Sequence, residues 1–113
     1  NLYGFSAQAQ KSADAFSFII SSDQREHATP AFRTHEFTLG GYEAINTVGK
    51  GSFMIVLGDL DPPTATHELI ASVLGRDYLW YPVIGNHDLE VEASTEYLRA
   101  MNRGANGLPF ILR

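Results

Sequence analysis

Three places in this chain set acidic residues, an amide or a histidine just after a short apolar run. "FSFIIS" leads to Asp23, "FMIVL" leads through Gly58 to Asp59 and Asp61, and "YPVI" leads through Gly85 to Asn86, His87 and Asp88. Carboxylate and amide oxygens are hard ligands, and together with an imidazole they suit Mg, Mn, Fe or Zn. Paired cations, about 3.5–4 Å apart, need a carboxylate that bridges them. Asp59 is the natural bridge, because it sits at a rigid strand end, and Gly58 before it leaves room for an ion or substrate to approach. If the Asn86 oxygen ligates, His87 projects over the site, and Asp88 is placed to hold its ring in one tautomer.

The elements that would position these residues alternate along the chain. Phe16 to Ser21 reads as a short buried strand, followed by a long polar loop over 22–35 that carries Pro30. Leu39, Tyr42, Ile45 and Val48 recur at a helical period and predict a helix over 37–48, ended by Gly49 and Gly51. Phe53 to Leu57 is almost wholly apolar, which predicts a strand buried on both faces. Thr64 is the expected cap of a helix over 65–74, with Leu69, Ile70, Val73 and Leu74 as its buried stripe and Gly75 as its stop. Tyr81 to Ile84 forms the third strand. The last helix spans 93–102, with Tyr97, Leu98 and Met101 inward, and "LPFIL" starts another strand. Strand–helix alternation implies a parallel sheet, whose ligands bind beyond the carboxyl ends of the strands. Asp23, Asp59 and Asn86 lie at those ends, 36 and 27 residues apart, about one strand–helix unit each.

Composition narrows the function classes. The chain has 113 residues, with eight basic and thirteen acidic side chains and a net charge of −5. No Lys/Arg stripe gives a footprint for nucleic acid. With no cysteine, disulfides, thiolate nucleophiles and Cys-based zinc sites are excluded together. No run reaches transmembrane length. Ser6-Ala7-Gln8-Ala9 has the small-residue spacing of a signal-peptidase site. The expectation is therefore a leader or signal-peptide remnant over 1–13, with export to the periplasm or outside the cell; the alternative is a cytoplasmic protein.

"GDLD" followed by "GNHD" resembles the calcineurin-like metallophosphoesterases, whose pattern runs D-x-H, G-D-x-x-D, G-N-H-D/E, then a late His and G-H-x-H. The resemblance covers residues 16 to about 101. It implies an α/β fold in which this chain supplies the parallel βαβαβα half of a four-layer αββα sandwich, with 14–113 as the N-terminal part of the domain. It also implies metal-dependent hydrolysis of phosphoesters with two divalent cations (Mn, Fe, Zn or Mg). Asp23, Asp59 and Asn86 would be metal ligands, His87 would assist the leaving group, and Asp88 would orient His87.

Three departures stand out. The first motif reads Asp23-Gln24-Arg25, so an arginine replaces the histidine ligand. A guanidinium cannot ligate a metal but can clamp a phosphate oxygen, the role expected of Arg25. His27 is the nearest substitute ligand. The second acid of G-D-x-x-D comes one position early, as Asp61. No histidine follows His87, so the late motifs are missing, which implies a missing C-terminal half of the same domain and an isolated chain without activity.

Rival readings come from single motifs. "DLD" is similar to the D-x-D of haloacid-dehalogenase-type phosphatases, with Asp59 as nucleophile, but that leaves "GNHD" unexplained. "VGKGS" precedes a strand instead of following one and so fails as a phosphate loop. His67, in "THEL", is expected to face solvent. The alternative from another class is a catalytically inactive binding or structural module on the phosphoesterase scaffold.

Overall fold

In the computed structural model the described residues are 15–26 and 33–101. The leader, His27, Pro30 and the "LPFIL" strand lie outside them. Three parallel strands, β1 (Ile19–Ser21), β2 (Met54–Val56) and β3 (Trp80–Pro82), pair in the order β1-β2-β3. Ile19, Met54 and Trp80 stand in one row across the sheet, and Ile20, Ile55 and Tyr81 in the next. The helices are α1 (Thr34–Val48), α2 (Pro63–Val73) and α3 (Glu92–Met101). The predicted alternation is therefore present, and the class is mixed α/β with a parallel sheet.

Boundaries differ from expectation for local reasons. α1 begins three residues early, at Thr34, and takes the end of the expected loop into its first turn. Thr64 does not cap α2. Pro62 holds the cap position in extended backbone and Pro63 is the first helical residue, where its missing N–H costs nothing. The paired part of each strand is only three residues long. Beyond it, single backbone bonds such as Leu57 N–H to Ser21 O (2.8 Å) and Asp23 N–H to Gly58 O (3.2 Å) keep the strand ends abreast.

All three helices contribute to one core on one face of the sheet. Tyr42 from α1, Leu69 and Ile70 from α2 and Leu98 from α3 meet Met54, Val56 and Trp80, with Leu60 and Leu74 between them. Fully burying one such aliphatic side chain is worth about 1.5–3 kcal/mol. His67 is half-buried against this layer rather than facing solvent. Its Nδ1 lies 2.6 Å from the Tyr97 hydroxyl and its ring stands edge-on to Trp80.

The opposite face of the sheet corrects a second expectation, because β2 is not buried on both sides. Ile20 is 59% exposed, Leu57 53% and Val83 47%. Phe18 stacks on Phe53 with ring centroids 5.2 Å apart, and Phe53 meets Tyr81 edge-on, so this face is a continuous apolar surface among the described residues. A solvent-facing sheet face ordinarily alternates to polar residues; this one does not. The expected consequence is self-association of the isolated chain, with apparent mass rising with concentration in sedimentation velocity, and reduction toward monomer by Ile20→Lys. A monomer at all concentrations with one sharp cooperative unfolding transition would contradict it.

Candidate active site at the carboxyl ends of the strands

The three predicted segments converge at one edge of the sheet. Two non-glycine residues have left-handed backbone there, Asp23 (φ 56°) and Asp59 (φ 55°). This region costs an L-residue about 1–2 kcal/mol, and Asp is among the few side chains that visit it. The chain thus turns sharply at an aspartate after β1 and after β2, and both aspartates line the same pocket. That pocket, about 200 Å³, is lined by Asp23, Arg25, Thr34, Asp59 and His87.

Gly58 and Gly85 allow the second and third loops to touch. A Cβ on Gly58 (φ 92°) would stand 2.6 Å from the Gly85 backbone, and a Cβ on Gly85 would overlap Asp59. Gly58→Ala combines left-handed strain with a backbone clash. The expected loss is about 2–4 kcal/mol, read as a lower urea midpoint. An unchanged midpoint would show that the loops are not in contact.

Two carboxylates hold the loops together reciprocally. Asp88 is fully buried and accepts three backbone N–H groups, from Asp59 (2.9 Å), Leu60 (2.8 Å) and Gly85 (2.8 Å). Asp59 Oδ1 accepts the backbone N–H of His87 at 3.1 Å. Asp88 therefore shapes the loops from inside, and its carboxylate is spent on backbone rather than on the His87 ring. Thr95, in the first turn of α3, donates to the Asp88 carbonyl at 2.8 Å, which ties the helix to the loop.

The His87 ring has other partners. Its Nδ1 lies 2.9 Å from Glu90 Oε1 and 2.9 Å from Arg25 Nη1. Glu90 closes a short 3₁₀ turn over Asp88–Glu90, in which its N–H bonds the His87 carbonyl, so the two side chains sit on one side. Arg25 also reaches Glu90 Oε2 at 3.2 Å and Asp61 Oδ2 at 3.6 Å, and Asp61 Oδ1 accepts the Ser94 hydroxyl at 3.1 Å. The displaced acid of the second motif is thus a partner of the arginine that stands where a histidine was expected.

The middle residue of the first motif points inward. Gln24 is buried, donates to the Ser21 hydroxyl and accepts from the Tyr42 hydroxyl. Burial raises the Tyr42 hydroxyl well above its ordinary 10.0, with the Gln24 bond acting weakly against it. Asp23 and Arg25 then flank Gln24 and face the pocket. Asn86 is exposed at the same edge and is not among the residues lining the pocket. Glu90 and Thr34 were not singled out in the sequence. Glu90 was detectable as the i+3 partner of His87 across a turn; Thr34 comes from the start of a helix that began earlier than its apolar period.

The fit to two cations is incomplete. Asp23 and Asp59 bring carboxylates to one pocket, but among the described residues no group of three or more His, Asp or Glu is arranged to hold a metal ion. These residues therefore do not build a dinuclear centre by themselves. No helix among the described residues is long and apolar enough to cross a membrane. Compared with protein families, curated proteins and solved structures, the chain gives no match.

Proposed function

We propose that this chain carries part of the active site of a metal-dependent phosphoester hydrolase, as the N-terminal half of a calcineurin-like αββα sandwich. The observation that carries the reading is the shared pocket: Asp23, Arg25, Asp59 and His87, from three separate strand ends, line one cavity. The apolar open face of the sheet supports the second half of the proposal, since a facing sheet would cover it. The fold, the activity and the export of the protein all belong to this proposal.

The roles follow from residue chemistry. Arg25 is held by Asp61 and Glu90, and its remaining N–H groups are available to a phosphate oxygen. His87, on the pocket wall, would act in its imidazolium form, passing its Nε2 proton to the leaving oxygen as a water oxygen bonds to phosphorus and the bond to that leaving oxygen breaks. Asp88 keeps the two loops in register beneath them. Asp23 and Asp59 would supply oxygen donors to a divalent cation; Asn86, exposed at the same edge, would have to turn toward the pocket to join them, and the remaining ligands would come from outside the described residues.

The test is hydrolysis of an aryl phosphate by the protein as its gene encodes it, with and without Mn²⁺, beside an Asp59→Asn control. Mn²⁺-dependent turnover that the control lacks supports the hydrolase. Turnover no higher than the control favours the inactive binding module. That second reading draws on Arg25, a fixed cation with carboxylate partners of its own at the position of a metal ligand.

A further inference from the structure

The imidazole of His87 has one hydrogen-bonding position at Nδ1 and two groups competing for it. Glu90 can only accept there, and Arg25 can only donate. Both lie at 2.9 Å. Either bond is charge-assisted, Nδ1–H to the carboxylate or the guanidinium to a bare Nδ1, so the partners each group has elsewhere decide between them. Arg25 has carboxylate partners besides the ring, Glu90 Oε2 at 3.2 Å and Asp61 Oδ2 at 3.6 Å, so it loses little by yielding Nδ1. Asp88, next in sequence to His87, is committed to three backbone N–H groups.

We propose that Glu90 is the positioning residue of the site: one of its oxygens holds His87 Nδ1–H and the other holds Arg25, which leaves His87 Nε2 as the ring atom that serves the pocket. The bridging carboxylate sets two groups at once. It fixes the ring plane and tautomer of His87, and it anchors the guanidinium beside it. Asp61 and Ser94 extend the same chain to the first turn of α3, so the ring is braced against a helix as well as a loop. Glu90 never touches the substrate; it acts through His87 and Arg25. Its catalytic consequence rests on the hydrolase reading, whereas its hold on the ring does not.

The experiment has two arms. On the 113-residue chain, long-range ¹H–¹⁵N correlation of the His87 ring near pH 8, where an ordinary imidazole is neutral, reports which nitrogen carries hydrogen. The expected result is the Nδ1–H tautomer in the wild type. Glu90→Ala is expected to turn the ring to the Nε2–H tautomer, because Arg25 is then free to donate to Nδ1. An Nε2–H ring in the wild type, or no change in Glu90→Ala, overturns the proposal. In the encoded protein, Glu90→Ala is expected to lower kcat for an aryl phosphate about 10- to 100-fold, with KM nearly unchanged and Glu90→Asp recovering part of the loss. Loss of turnover in His87→Ala beside an unaffected Glu90→Ala would sink the positioning role alone. An unaffected His87→Ala would sink the catalytic role of the ring, and the tautomer would still decide whether Glu90 holds it.

Discussion

Asp88→Ala is expected to cost the chain a large fraction of its stability. The carboxylate is fully buried and satisfies three backbone N–H groups from two loops. Hydrogen bonds to a charged acceptor contribute about 1.5–3 kcal/mol each, and a buried donor left bare costs about 1–3 kcal/mol. Water entering the space recovers part of that. The net loss is about 3–5 kcal/mol, set against a total of roughly 5–15 kcal/mol for an ordinary domain. Asp88→Asn keeps one acceptor oxygen and turns an amide N–H₂ toward a donor, so about half the loss is expected. Urea unfolding followed by circular dichroism measures both, as midpoint shifts at unchanged slope. Two variants as stable as the wild type would mean that Asp88 is not the staple between the loops.

His87→Ala is the substitution expected to act on catalysis with little effect on folding. The ring is half-exposed at the pocket rim, and its contacts are to Arg25 and Glu90, which retain each other when it is removed. Loss of a general acid ordinarily costs about 10²- to 10⁴-fold in rate. The expected result is a fall of that size in kcat for the encoded protein, KM within a few-fold, and an unchanged urea midpoint. An interaction made only in the transition state has that kinetic signature. Equal falls in stability and activity would instead make His87 a structural residue.

Much of the site was legible because strand ends announce themselves. An apolar run that stops at Gly-Asp or Gly-Asn-His has few reasons to do so, and a parallel sheet brings such stops to one edge. That reasoning brought Asp23, Asp59 and His87 to one pocket from residue order alone. The role expected of Asp88 failed for a specific reason. Its neighbour in sequence is His87, but in a 3₁₀ turn the side chain sharing the imidazole's side is three residues on, at Glu90. Sequence adjacency suggested the wrong carboxylate.

The strand reading failed in an informative way. "FMIVL" is apolar at every position, so it predicted burial of both faces, yet only the Met54–Val56 face is covered. Apolar composition gives a strand's hydrophobicity and not which of its faces is covered, and here Ile20, Leu57 and Val83 remain exposed on the open face. Helix starts were misplaced where chemistry other than periodicity decides them: Pro63 opens α2 through its fixed φ, and Thr34 begins α1 before its apolar stripe does.

That Asp23 and Asp59, with His87 from the third strand end, offer one shared site to a divalent cation is tested most directly by titrating Mn²⁺ into the ¹⁵N-labelled chain and following paramagnetic line broadening. The expected result is that the amides of Asp23, Asp59 and His87 broaden together, at lower Mn²⁺ than amides beside the remaining acids, and that Asp59→Asn abolishes this. Broadening spread evenly over the acidic surface, or focused on one strand end without the other two, would contradict it.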